Sequence, residues 1–100
     1  MKEIDAAKCK VHVLVCTNER APERSCCKKV GGQELYLKLK QKLTETGIRG
    51  THWVTRTGCL GYCNDLGPTV VINRPGRSSH WFSEVVDSDF DSIWEEIVRE

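Results

Sequence analysis

Apolar and polar positions change their spacing several times along the chain, and each change marks an element. Lys10 to Cys16 reads as a strand, with Val11, Val13 and Val15 on one face and Leu14 and Cys16 helping to fill the other. Apolar character on both faces predicts a central strand. Thr17 to Lys29 is polar, charged and interrupted by Pro22, so it reads as a long loop. From Gly32 to Thr46 the spacing is helical: Leu35, Leu39 and Leu43 recur with Tyr36 beside them, while Leu37 faces the opposite side. Gly47 suits the end of that helix. Gly50 to Thr57 is a second strand around Trp53 and Val54, and Gly58 to Pro68 is a second loop.

Thr69 to Asn73 is a short buried strand. Arg74-Pro75-Gly76-Arg77 reads as a type II turn, because proline presets the first corner and glycine accepts the positive φ of the second. His80 to Val85 returns as the hairpin partner. A last helix starts near Asp89, with Phe90, Ile93, Trp94, Ile97 and Val98 at helical spacing. Ser88 with Asp91 resembles a capping box at its start. The predicted order is β-α-β-β-β-α: an α/β fold with about four strands and two main helices. Residues 1–9 form a polar N-terminal segment, and residues 10–100 one domain.

Composition narrows the function classes. The chain has 100 residues, enough for one domain with a modest core. Its 39% apolar and 29% charged residues are ordinary for a globular protein. A net charge of +1 gives no global electrostatic case for nucleic acid or an anionic membrane surface. The apolar run Val11 to Cys16 is too short for a secretory leader or a membrane span. The expectation is a cytoplasmic protein, and it changes the meaning of the six cysteines. In a reducing compartment such thiols bind metal or do redox chemistry more often than they form disulfides.

The cysteines are not equivalent. Cys16 ends the first strand, Cys26 and Cys27 lie late in the first loop, and Cys59 and Cys63 lie in the second. These are positions from which ligands can converge. Gly58 and Gly61 flank Cys59 and let backbone turn closely around a bulky group. Cys9 precedes Cys16 by seven residues, about 20 Å along a strand, and so cannot share its site. Only one of the adjacent Cys26 and Cys27 is expected to ligate. Four thiolates suit an iron–sulfur cluster or a structural zinc, and spacing alone does not separate the two.

The segments Val13-Leu14-Val15-Cys16-Thr17-Asn18, Ser25-Cys26-Cys27, Gly31-Gly32-Gln33-Glu34-Leu35, Gly58-Cys59-Leu60-Gly61-Tyr62-Cys63 and Leu66-Gly67-Pro68-Thr69-Val70-Val71 resemble the thioredoxin-like [2Fe–2S] ferredoxins. These are relatives of the small iron–sulfur subunit of NADH dehydrogenases. The resemblance spans about residues 10 to 98. It implies a thioredoxin-like fold and one [2Fe–2S] cluster near the surface at one end. Cys16 and Cys27 would hold one iron, and Cys59 and Cys63 the other. The family register from cysteine to glycine favours Cys27; the serine before Cys26 keeps that residue as the alternative. A homodimer is also implied, as in family members of known structure, with Leu37 a contact to consider there.

The implied function is to carry single electrons between redox partner proteins, as an electron carrier and not an enzyme, either alone or as a subunit of an oxidoreductase. Arg20, Arg24, Lys28 and Lys29 cluster in the first loop and suit docking of an acidic partner. Two other readings compete: a thiol–disulfide redox module on the same fold, and a zinc-stabilised interaction domain. The first lacks a Cys-x-x-Cys pair, and the second has only one short cysteine knuckle. His12, His52 and His80 do not stand beside loop cysteines as in a Rieske centre. Core packing is the expectation for Trp53, Trp81 and Trp94. No phosphate loop or hydrolytic triad is recognisable.

Overall fold

A computed structural model of the chain describes residues 1–3, 8–17, 31–58 and 67–99. Its elements are β1 (Val11–Cys16), α1 (Gly32–Thr46), β2 (His52–Thr57), β3 (Val70–Asn73), β4 (His80–Phe82) and α2 (Phe90–Val98), with a 3-10 turn over Asp87–Asp89 before α2. The strands form one sheet in the order β2-β1-β3-β4. β2 runs parallel to β1, whereas β1 with β3 and β3 with β4 are antiparallel. The predicted element order is thus the observed one, a mixed four-stranded sheet with two helices, and β1 is central.

Both helices pack on one face of that sheet. Val11, Val13 and Val15 alternate along β1, and Val13 and Val15 pair with Ile72 and Val70 of β3. These valines form one core cluster with Leu35 and Leu39 of α1 and Ile93 and Ile97 of α2. Lys42 reaches from α1 over the rings of Phe90 and Trp94, so its stem lies across the seam between the helices. Leu37, out of phase with the apolar stripe, is exposed.

The opposite face carries His12 and Leu14 of β1, opposite Trp53 and Thr55 of β2, and Val71 of β3 opposite Trp81 of β4. Neither helix covers it. Trp53 is 38% and Trp81 54% exposed, so core packing holds for Trp94 alone. The expectation for the other two fails because strand alternation assigns residues to faces without saying which face the helices cover. Across this surface His12 meets Trp53 edge-on at 6.0 Å between ring centres, and its Nε2 is 2.7 Å from Thr55 Oγ1.

Two turns set strand lengths. Gly76 has φ 73° and the Arg77 amide donates to the Arg74 carbonyl at 3.2 Å, the expected type II turn. β4 stops at Phe82, short of the expected Val85, because Glu84 takes a left-handed φ of 56°. That reversal buries Val85 and lets its amide donate to the Pro68 carbonyl at 3.1 Å. The expected Ser88–Asp91 box does not form: Ser88 lies inside the 3-10 turn, and Asp89 Oδ2 accepts the Val86 amide at 3.0 Å.

Gly67 lies at the approach to β3, two residues before the buried Thr69. A Cβ there would stand inside the Val85 carbonyl oxygen and 2.8 Å from the carbonyl carbons of Glu84 and Val85. Backbone cannot yield as a flexible side chain does. Gly67→Ala is therefore expected to destabilise the protein by about 1–3 kcal/mol, read from a denaturant midpoint. An unchanged midpoint would contradict the close approach.

Candidate metal centre

One end of the sheet gathers the chain segments that the cysteine spacing singles out. β1 and β2 run parallel and stop together, with Cys16 opposite Thr57. The Cys16 amide donates to the Thr69 carbonyl at 3.1 Å on the β3 side, and the Thr17 amide to the Thr57 carbonyl at 3.0 Å on the β2 side. Thr17 Oγ1 donates to the same Thr57 carbonyl at 3.3 Å. The backbone around Cys16 is thus held from both neighbouring strands, which fixes where its side chain starts.

The βαβ connection brings a third segment to this end. Because β1 and β2 are parallel, α1 must start where β1 stops and run back. Gly31 precedes α1 and lines a cavity with Val85, the residue tied to Pro68. Gly58, following β2, and Gly67, preceding β3, complete the set. Thr17, Gly31, Gly58 and Gly67, which flank in sequence the segments that carry the other candidate cysteines, therefore lie toward the same end of the sheet.

Cys16 itself is a free thiol, 1% exposed. By strand alternation it shares the helix-free face with His12 and Leu14. Cys26, Cys27, Cys59 and Cys63 lie outside the described residues, as do Arg20, Arg24, Lys28 and Lys29. Among the described residues no three His, Cys, Asp or Glu side chains are grouped to hold a metal. A softer donor set is indicated here by type: a buried, unpaired thiol at a strand end is a suitable ligand for zinc or an iron–sulfur cluster.

Cys9 belongs elsewhere. It precedes β1, at the end of that strand opposite Cys16, and its thiol donates to the Val11 carbonyl at 3.4 Å. Burial pushes the Cys9 thiol up from its ordinary pKa, with hydrogen bonds to the Val11 and Trp53 backbone opposing. It is a neutral, buried thiol. The histidines are equally remote in role. His52 Nδ1 is 2.8 Å from Thr51 Oγ1, and His80 Nδ1 is 3.9 Å from Glu96.

Comparison with known proteins agrees with this frame. No family model matches the chain. A "Ferredoxin, 2Fe-2S" of Aquifex aeolicus (strain VF5) is 32% identical over 91 residues, covering 88% of this chain and 78% of that protein. The structure of a thioredoxin-like [2Fe–2S] ferredoxin from Aquifex aeolicus superimposes with a TM-score of 0.74 at 29% identity, over 91% of this chain and 82% of the other. A wild-type structure of the Aquifex aeolicus thioredoxin-like [2Fe–2S] ferredoxin, at 1.5 Å resolution, gives 0.72 at 30% identity, over 88% and 84%. Sequence identity at this coverage, with the shared fold, places the chain: it belongs to the thioredoxin-like [2Fe–2S] ferredoxin family.

Proposed function

We propose that this protein is a single-electron carrier holding one [2Fe–2S] cluster where β1 and β2 end. The observation that carries the reading is Cys16, a buried free thiol opposite Thr57, two residues before Cys59 in the sequence. Chain connectivity supports the remaining ligands. Cys59 is bonded to Gly58, Cys27 stands four residues before Gly31, and Cys63 four before Gly67. The proposed set is Cys16, Cys27, Cys59 and Cys63, with Cys26 the alternative to Cys27. It belongs to one functional unit spanning residues 10–100.

When bound, such a cluster supplies a reversible one-electron couple. The chain's own residues would tune it. The burial of Cys16 keeps water from its sulfur, and low dielectric strengthens any hydrogen bond to that sulfur. The amides of Cys16 and Thr17 are already committed to Thr69 and Thr57, so they hold the ligand's backbone in place. No catalytic residue is needed, and the protein's role is to carry electrons. Arg20, Arg24, Lys28 and Lys29 would form a docking rim for an acidic redox partner, where charge speeds encounter more than it tightens binding.

The sheet face that neither described helix covers suits a second copy of the chain at its exposed edge strands. Its exposed Trp53 and Trp81 present apolar surface that a homodimer would bury. A monomeric mass in solution would contradict that arrangement. The described residues contain no helix long and apolar enough to cross a membrane.

Ligand choice at the first loop separates the proposed register from its alternative. Cys27→Ser is expected to lose the normal visible absorption of the cluster, whereas Cys26→Ser keeps it. The reverse result would assign the ligand to Cys26. Normal spectra and one-electron uptake in the Cys26→Ser/Cys27→Ser double variant would remove this loop from the ligand set.

A further inference from the structure

The end of the sheet far from Cys16 holds a feature that electron carriage does not use. A cavity of about 550 Å³ opens there, within the range of small-molecule sites. Its walls combine two chemistries. Val11, Ile48, Pro75 and Val98 give it apolar surface, while Lys10, Arg74, Arg77 and Arg99 bring four cationic side chains. No carboxylate side chain is among the described lining residues. On a chain of net charge +1, this is a strong local excess of positive charge.

The cations have distinct duties. The Arg74 guanidinium donates to the carbonyls of Glu96, Ile97 and Arg99, tying the β3–β4 turn to the end of α2. Carbonyl partners leave its full charge in place, and a cation suits a helix C-terminus. Arg99 pairs with Glu96 at 3.1 Å. Lys10 and Arg77 have no ion-pair partner among the described residues, and both are exposed. They enter from different elements, the start of β1 and the β3–β4 turn.

We propose that this cavity binds a small oxyanion carried on a compact apolar body. Lys10 and Arg77 would meet the oxyanion, Arg74 would add a fixed field, and the apolar walls would take the body. The guanidinium fork matches carboxylate and phosphate oxygens equally, so the shared ligand chemistry is an oxyanion ester or acid with an aromatic or short aliphatic group. His52 offers an internal reporter because it also lines the cavity. Burial holds its imidazole below the usual range, and the charges of Lys10 and Arg74 push the same way. An anion between those charges would relieve part of that effect.

The test is a titration of the full, cluster-loaded chain followed by nuclear magnetic resonance. The cavity lies about 20 Å from Cys16 along β1, far enough to escape most paramagnetic broadening from a cluster at that end. Phenyl phosphate and benzoate are the two oxyanion arms; inorganic phosphate and benzyl alcohol lack the apolar body and the charge respectively. At least one arm is expected to bind tenfold or more tightly than either control. Its shifts should centre on Lys10, His52 and Arg77, and it should raise the His52 midpoint. Lys10→Gln with Arg77→Gln should weaken that binding at least tenfold while circular dichroism stays unchanged. Equal affinity for inorganic phosphate, shifts centred elsewhere, or an unaffected double variant would overturn the proposal. An acidic protein that binds this face while the small anions do not would overturn it too.

Discussion

Cys16→Ala is expected to reduce iron and labile sulfide to a small fraction of the wild-type content, while Cys9→Ala keeps both. The two residues are close in burial and in chemistry, and both thiols are free. They differ in place. Cys16 stands where β1, β2 and the entry to β3 meet, with the second loop beginning just beyond its strand partner. Cys9 sits beyond the other end of β1 as a neutral thiol bonded to the Val11 carbonyl. A [2Fe–2S] centre wants four thiolates, so losing the one at the fixed strand end leaves three. The sheet should survive the substitution, because the bonds from the Cys16 and Thr17 amides are backbone bonds. Iron analysis with far-ultraviolet circular dichroism separates cluster loss from unfolding. Full iron in Cys16→Ala would remove this residue from the site.

The second large effect concerns the scaffold. Leu39→Ala should cost about 2–5 kcal/mol of stability. Leu39 is fully buried, packed in the cluster that joins α1 to the β1 and β3 valines and to Ile93 and Ile97 of α2. Truncation removes its transfer free energy and leaves a cavity that two helices and a sheet cannot close together. A domain of this size holds roughly 5–15 kcal/mol in all, so the thermal midpoint should fall by about 10 °C or more. Leu37→Ala, the same change two residues earlier on the same helix, should stay within about 0.5 kcal/mol because Leu37 is exposed. Equal losses at the two positions, read by thermal unfolding, would contradict the packing described for α1.

Local patterns carried much of this architecture. The Leu35-Leu39-Leu43 stripe, the valines of β1 and the Arg74–Arg77 turn were legible because each depends on residues close in sequence. So was the separation of Cys9 from Cys16, which needs only the rise of a strand. What was not legible required tertiary information. The exposure of Trp53 and Trp81 depends on both helices choosing the same face of the sheet. The early end of β4 depends on a left-handed Glu84, a conformation that glutamate does not advertise. The cationic cavity is assembled from the start of β1, the segment after α1, the start of β2, the β3–β4 turn and the end of α2, five pieces with no common motif. For the metal centre, residue type and spacing reached four thiolates but not the choice between iron–sulfur and zinc. That choice came with the family.

The most direct measurement is the iron, labile sulfide and zinc content of the full chain purified without oxygen. About two irons and two sulfides per chain with little zinc are expected for one [2Fe–2S] cluster. One zinc per chain, with no iron or sulfide taken up even after reconstitution, would contradict the account.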